Sequence, residues 1–185
     1  MKKITILVIS IVVVIMVSLF VYFDTSQEEQ QEPTITTIIE NDYVINNYWN
    51  LGFDYRTGQT WQVSEPFELT SIDVTMYSND GTGVVILDIY KVEGNEPTGS
   101  SLSSSEIIST PTTLSWVNIE MPQIMIEVDT EYCFVITSNG DTTVHVAYDN
   151  SNTYDGGTMI SKNGPGNGWQ VNHGYDQRFR IYGYE

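Results

Sequence analysis

The sequence predicts an all-β protein: a two-sheet antiparallel sandwich, jelly-roll-like, preceded by one N-terminal transmembrane helix. Three observations carry this. Beyond residue 23, short β-favouring runs recur at roughly 12-residue spacing, divided by clusters of Gly, Asn, Asp, Ser and Pro. No stretch in that part sustains the 3.6-residue period of an amphipathic helix, and none has the spacing of βαβ units. Ile4–Phe23, by contrast, is 20 residues without a charge.

Ile4–Phe23 as a helix would span about 30 Å, the thickness of a bilayer's hydrocarbon core. Lys2 and Lys3 precede it and Asp24, Glu28 and Glu29 follow. That asymmetry predicts a single-pass protein at the cell membrane, N-terminus inside and the rest extracellular. A cleaved signal peptide is the rival. Its apolar core is shorter and ends in small residues, a pattern that Val21–Thr25 lacks. Either way the remainder is exported.

Residues 1–23 are thus expected as the anchor and 24–46 as an acidic spacer, with 47–185 as the extracellular β-sandwich. Asp24–Pro33 is polar, acidic and free of aromatics, so it cannot bury enough surface to order itself. Thr34–Glu40 is β-prone and is expected to add an edge strand. Asn41–Gly58 reads as an approach segment containing Tyr43, Tyr48, Trp49, Phe53 and Tyr55. Gln59–Val63 and Phe67–Tyr77 follow as strands, the second with clear alternation. Ser78–Gly83 contains Asp-Gly and predicts a hairpin into Val84–Val92. Glu93–Ser101 reads as a loop. Leu102–Ile108 and Leu114–Met121 come next, then Gln123–Val128 and Glu131–Ser138 as a pair bent at Asp129 and Thr130. Thr143–Tyr148, Thr158–Ser161 and Arg178–Tyr184 complete the series. Trp61 and Trp116 lie in or beside strands and are expected in the core.

Charge excludes some functions. The chain carries −17, and all 24 acidic residues lie after Phe23. Two of its seven basic residues precede the apolar run, so five face 24 acids beyond it, a net −19. Phosphate neutralisation needs basic side chains, so no nucleic-acid partner is expected. The lone cysteine, Cys133, can form no disulfide within the chain and sits in an apolar alternation, as a buried thiol would.

Catalytic motifs are missing. His145 and His173 have no zinc-binding context, no G-x-S-x-G elbow is present, and Gly164–Gly168 is not followed by a Lys-Ser/Thr pair. With 24 acids a carboxylate pair for glycoside hydrolysis always exists by chance, so that signal is empty. The expectation is a protein that is not an enzyme.

One stretch stands out for binding. Tyr148, Asn150, Asn152, Tyr154, Asp155, Trp169, His173 and Tyr175, together with Gln170, supply aromatic faces, amides and carboxylates on neighbouring loops. Neutral sugars need that mixture: rings stack on C–H surfaces and polar groups bond the hydroxyls. The plainer reading is that Trp169 and Tyr154 plug the open end of the sandwich. Shared exposure along one groove would favour sugar, and burial of both would defeat it. Asp141, Asp149 and Asp155, near Asn150 and Asn163, form a candidate structural calcium site, although the EF-hand spacing is absent. No other cofactor is expected.

The pieces LTSIDVTMY (Leu69–Tyr77), VVILDIYKVEGNEPTGS (Val84–Ser100), SWVNIEM (Ser115–Met121), VDTEYCFVI (Val128–Ile136), NTYDGGTMISKNGPGNGW (Asn152–Trp169) and DQRFRIYGY (Asp176–Tyr184) run in order through most of Gln59–Tyr184. In that succession the chain resembles the choice-of-anchor (R-type) β-sandwich modules of secreted and surface-anchored proteins. The resemblance implies an extracellular sandwich similar in shape to carbohydrate-binding modules, with no catalytic residues to carry over. The expected function is a membrane-anchored, non-catalytic module binding carbohydrate or a surface polymer. The alternative is a structural or adhesive surface protein that binds protein partners or self-associates.

Overall fold

The computed structural model describes residues 33–43, 47–52, 54–138 and 142–184. The expected helix, most of the spacer and Asp141 lie outside these. The chain divides into Met1–Pro33 and a compact unit, Thr34–Glu185, to which all thirteen strands of the described residues belong.

The strands are β1 (Ile35–Asn41), β2 (Asn47–Leu51), β3 (Tyr55–Trp61), β4 (Phe67–Ser78), β5 (Val85–Glu93), β6 (Glu96–Ile107), β7 (Ser115–Ile126), β8 (Tyr132–Ser138), β9 (Val144–Asp149), β10 (Met159–Asn163), β11 (Gln170–Asn172), β12 (Asp176–Gln177) and β13 (Phe179–Tyr184). Two antiparallel sheets result. One has seven strands: β1, β13, β4, β9 and β12 in order, with β7 also on β4 and β2 also on β9. The other has six, ordered β11-β10-β3-β8-β5-β6. The all-β, two-sheet expectation holds, and no helix occurs among the described residues.

Alternation fills the space between the sheets. Leu69, Ile72, Val74 and Met76 of β4 face Val85, Leu87 and Ile89 of β5 and Phe134 and Ile136 of β8 in one core. Trp61 is wholly buried there, stacked on Tyr132 at 5.1 Å. Each such side chain stabilises the fold by about 1.5–3 kcal/mol through burial.

The two hairpin expectations differ from the structure. β4 and β5 lie in different sheets, so the segment containing Asp80-Gly81 crosses between layers. A type I′ turn needs two residues with positive φ, and here only Gly81 has one. The chain over Asp129-Thr130 likewise passes from β7 in one sheet to β8 in the other. The tight turn lies where a loop was expected. Gly94 and Asn95 have φ of 60° and 67°, and they close β5 onto β6 with Glu93 opposite Glu96. The separate strands expected over 114–121 and 123–128 are one strand, β7, running through Pro122. Proline is tolerated because β7 is an edge strand.

Trp116 is not a core residue. It projects from the outer face of the seven-stranded sheet, and the guanidinium groups of Arg178 and Arg180 lie 4.5 and 4.2 Å from its ring. Those arginines pair with Asp42 and Glu40. Two cations over one indole offset the cost of leaving the ring partly exposed.

Candidate binding cleft

β2 and the first half of β3, read from the sequence only as an approach segment, position the site. β2 runs along β9, with Asn47 opposite Tyr148 and Trp49 opposite Val146. This brings Trp49 within 6.3 Å of Tyr148, centroid to centroid, at an interplanar angle of 65°. Tyr175 also meets Tyr148, at 5.5 Å and 63°. The three rings, with Met159 of β10 and Asn172 of β11, line a cleft of about 150 Å³.

Backbone bonds fix its walls. Tyr175 N donates to Asn172 O at 3.1 Å, closing the turn through His173 and Gly174, and Met159 N donates to Tyr175 O at 3.2 Å. Asn172 Nδ2 donates to Ser161 Oγ at 3.0 Å. Trp49 Nε1 is buried and has no hydrogen-bond partner. Burial, and then the neighbouring Tyr175, raises the Tyr148 hydroxyl above the usual phenol value. It therefore stays a neutral donor and acceptor at physiological pH.

A buried polar network orders the loop around this cleft. Asp149 and Asp176 sit opposite each other in the β9–β12 ladder and are 3% and 0% exposed. Asp176 accepts from Gln59 Nε2 and from Tyr154 N, both at 3.1 Å. Asp149 accepts from Ser151 N at 3.1 Å, from Ser151 Oγ and from Thr153 Oγ1 at 2.9 Å. Gln59 Oε1 accepts from Gln177 N, and Asn41 Nδ2 donates to Gln177 O. Burial, opposed by these donors, and the charge of Asp149 raise the Asp176 carboxyl above the ordinary carboxylate range. Gly157 completes the seating of the loop. A Cβ there would lie 1.8 Å from Thr60 O, where the strand and loop exchange bonds between Thr60 and Thr158.

Of the residues singled out from sequence, Tyr148 and Tyr175 meet in the cleft. His173 is exposed at the neighbouring turn, and Asn150, Asn152 and Asp155 are exposed on the loop after β9. Tyr154 and Trp169 do not share a groove. Tyr154 packs on the main core, edge-on to Phe179 at 5.2 Å. Trp169 packs with Tyr90 on Val92, Cys133, Val135 and Ile160. Cys133 and Val135 alternate with the core residues of β8, which puts that cluster on the outer face of the six-stranded sheet. Burial raises the Cys133 thiol, keeping it protonated and inert.

Among the described residues, no group of three His, Cys, Asp or Glu side chains is placed to hold a metal ion. Asp149 is engaged by Ser151 and Thr153, Asp155 is exposed, and Asp141 lies outside the described residues. Trp49, Met159 and Asn172 were missed by sequence reasoning. The only available signal was Trp49 at an alternating position of a five-residue strand between asparagines.

No protein-family model matches the chain, and a search of curated proteins returned no match. Among solved structures it is similar to a family two carbohydrate esterase from Cellvibrio japonicus. Identity is 13% and the TM-score 0.31, over 72% of this chain and 32% of that one. The chain thus spans about a third of the esterase's length, and a likeness at this level says nothing about activity. What the fold and the cleft define is a two-sheet antiparallel sandwich with an aromatic hollow at one edge. Among its described residues no helix is long and apolar enough to cross a membrane.

Proposed function

We propose that this chain is a non-catalytic surface module of the choice-of-anchor kind, held on the outside of a membrane by residues 4–23, that binds carbohydrate or a surface polymer. The observation that carries the reading is the cleft: Trp49, Tyr148 and Tyr175 converge on one opening, beside Asn172. A sugar ring would present its C–H face to the aromatic edges and its hydroxyls to the neutral Tyr148 hydroxyl. Glycan-array binding by the full-length chain, with and without calcium, tests it. Trp49→Ala and Tyr175→Ala should each weaken binding by roughly tenfold or more, the loss of one aromatic face. A flat array, or binding indifferent to both variants, would sink the proposal.

A second reading is self-association, favoured by one observation. Among the described residues, β1 is bonded to β13 on one side and pairs with no strand on the other.

A further inference from the structure

We infer that the outer face of the seven-stranded sheet carries a second carbohydrate site, separate from the aromatic cleft and specific for a neutral, hydroxyl-rich chain. The inference rests on the reading of the protein as a carbohydrate-binding module. A hollow of about 300 Å³, twice the volume of the cleft, lies there. Ile35, Ser71, Asn118, Glu120, Gln123 and Tyr184 line it.

Its origin is a break in register on both sides of one residue. In the β13–β4 ladder Tyr182 faces Ser71 and Gly183 faces Leu69. In the β4–β7 ladder Leu69 faces Ile124 and Ser71 faces Glu120. Thr70 is therefore the unpaired residue in both ladders, and Met121–Gln123 is skipped on β7. Bulges bend the strand that carries them, and here the bend opens the hollow. Thr70, at its floor, has a buried hydroxyl oxygen with no hydrogen-bond partner.

The polar groups beside it are held in fixed orientation. Asp73, 9% exposed although it points to the outer face, accepts from Asn118 Nδ2 at 2.7 Å and from Tyr182 Oη at 2.9 Å. Asn118, held by this bond, lines the hollow with an amide that can both accept and donate. Glu120 and Gln123 add exposed acceptor and donor groups, while Ile35 and Tyr184 supply apolar surface.

This composition selects a ligand class. No Lys or Arg lines the hollow, so an anion finds no partner. A single carboxylate, Glu120, falls short of the several oxygens a hard cation needs. Amides, hydroxyls and one carboxylate around a strip of apolar surface suit vicinal hydroxyls on a sugar ring.

Calorimetric titration of the full-length chain with cellohexaose, xylohexaose and maltohexaose separates the two sites. Trp49→Ala should leave a residual binding event. Adding Glu120→Ala or Gln123→Ala in that background should weaken it by roughly tenfold, the worth of one or two hydrogen bonds. Both side chains are exposed, so the melting temperature should not move. The second site is overturned if Trp49→Ala removes all binding, or if the residual binding ignores both added changes; either leaves the cleft standing. If Trp49→Ala changes nothing while Glu120→Ala and Gln123→Ala weaken binding, the hollow stands as a site and the cleft is lost. Absence of binding to all three sugars overturns both.

Discussion

Asp176 carries a carboxylate with no accessible surface, and Asp149 faces it across the ladder. Its pKa is raised, by burial first, so the sign of its effect on stability is fixed. Below the unfolded-state pKa the group is protonated in both states and there is no penalty. As pH rises through the folded-state value, the unfolded chain releases the proton more readily, and stability falls. Asp176→Asn removes this titration but turns an N–H toward either Gln59 Nε2 or Tyr154 N, which costs about 1–3 kcal/mol. The variant should therefore be clearly less stable than the parent at about pH 4, with the gap narrowing toward about pH 7. Thermal melts across that range check it, and a gap that widens with pH contradicts it. The sequence could not show this network. Asn41, Gln59, Asp176 and Gln177 are polar side chains buried in the interior. Only the pairing of distant segments supplies their partners.

At the level of elements, long alternating strands were legible and their connections were not. Phe67–Tyr77, Val84–Val92 and Glu131–Ser138 correspond closely to β4, β5 and β8, because their alternation is strong. The turns misled because Asp80-Gly81 looks like a hairpin turn, while Gly94-Asn95, followed by Glu96-Pro97, looks like open loop. What separates them is φ at both central residues, which the second pair satisfies. β12, with two residues, is too short for any periodicity. β1 appeared as expected over 34–40, and it matters for the self-association reading. Ile38 and Ile39 pack on the core and Asn41 joins the buried network, so deleting the strand would unfold the sheet. Thr37→Lys changes only an exposed edge position, and lysine discourages edge-to-edge pairing. If β1 mediates self-association, sedimentation of the full-length chain should show concentration-dependent dimers that this change converts to monomers. Dimers that persist unchanged would exclude the edge.

For the whole molecule, composition set the limits on partners and long-range pairing made the cleft. Tyr148 and Tyr175 could be suspected from the sequence because they flank one Gly- and Asn-rich stretch. Trp49 could not, since only the β2–β9 ladder brings it to Tyr148. Trp169, the most conspicuous ring of that stretch, went instead to the outside of the other sheet, because Tyr90, Val135 and Ile160 offer it apolar surface there. Charge acts over the entire surface. Beyond the apolar run the chain has five basic residues against 24 acidic ones, and Lys91, Arg178 and Arg180 are already paired with Glu127, Asp42 and Glu40. A polyanion approaching this surface is repelled, and the repulsion grows as salt is removed, since screening reaches about 10 Å at 0.1 M. A neutral glycan meets no such field. Affinity for cellohexaose should therefore be nearly independent of sodium chloride, while binding of polygalacturonate should be absent or should weaken further as salt falls. Calorimetry in low and moderate salt distinguishes these. Tighter binding of the polyanion at low salt would mean that a basic surface, not the cleft or the outer hollow, governs recognition.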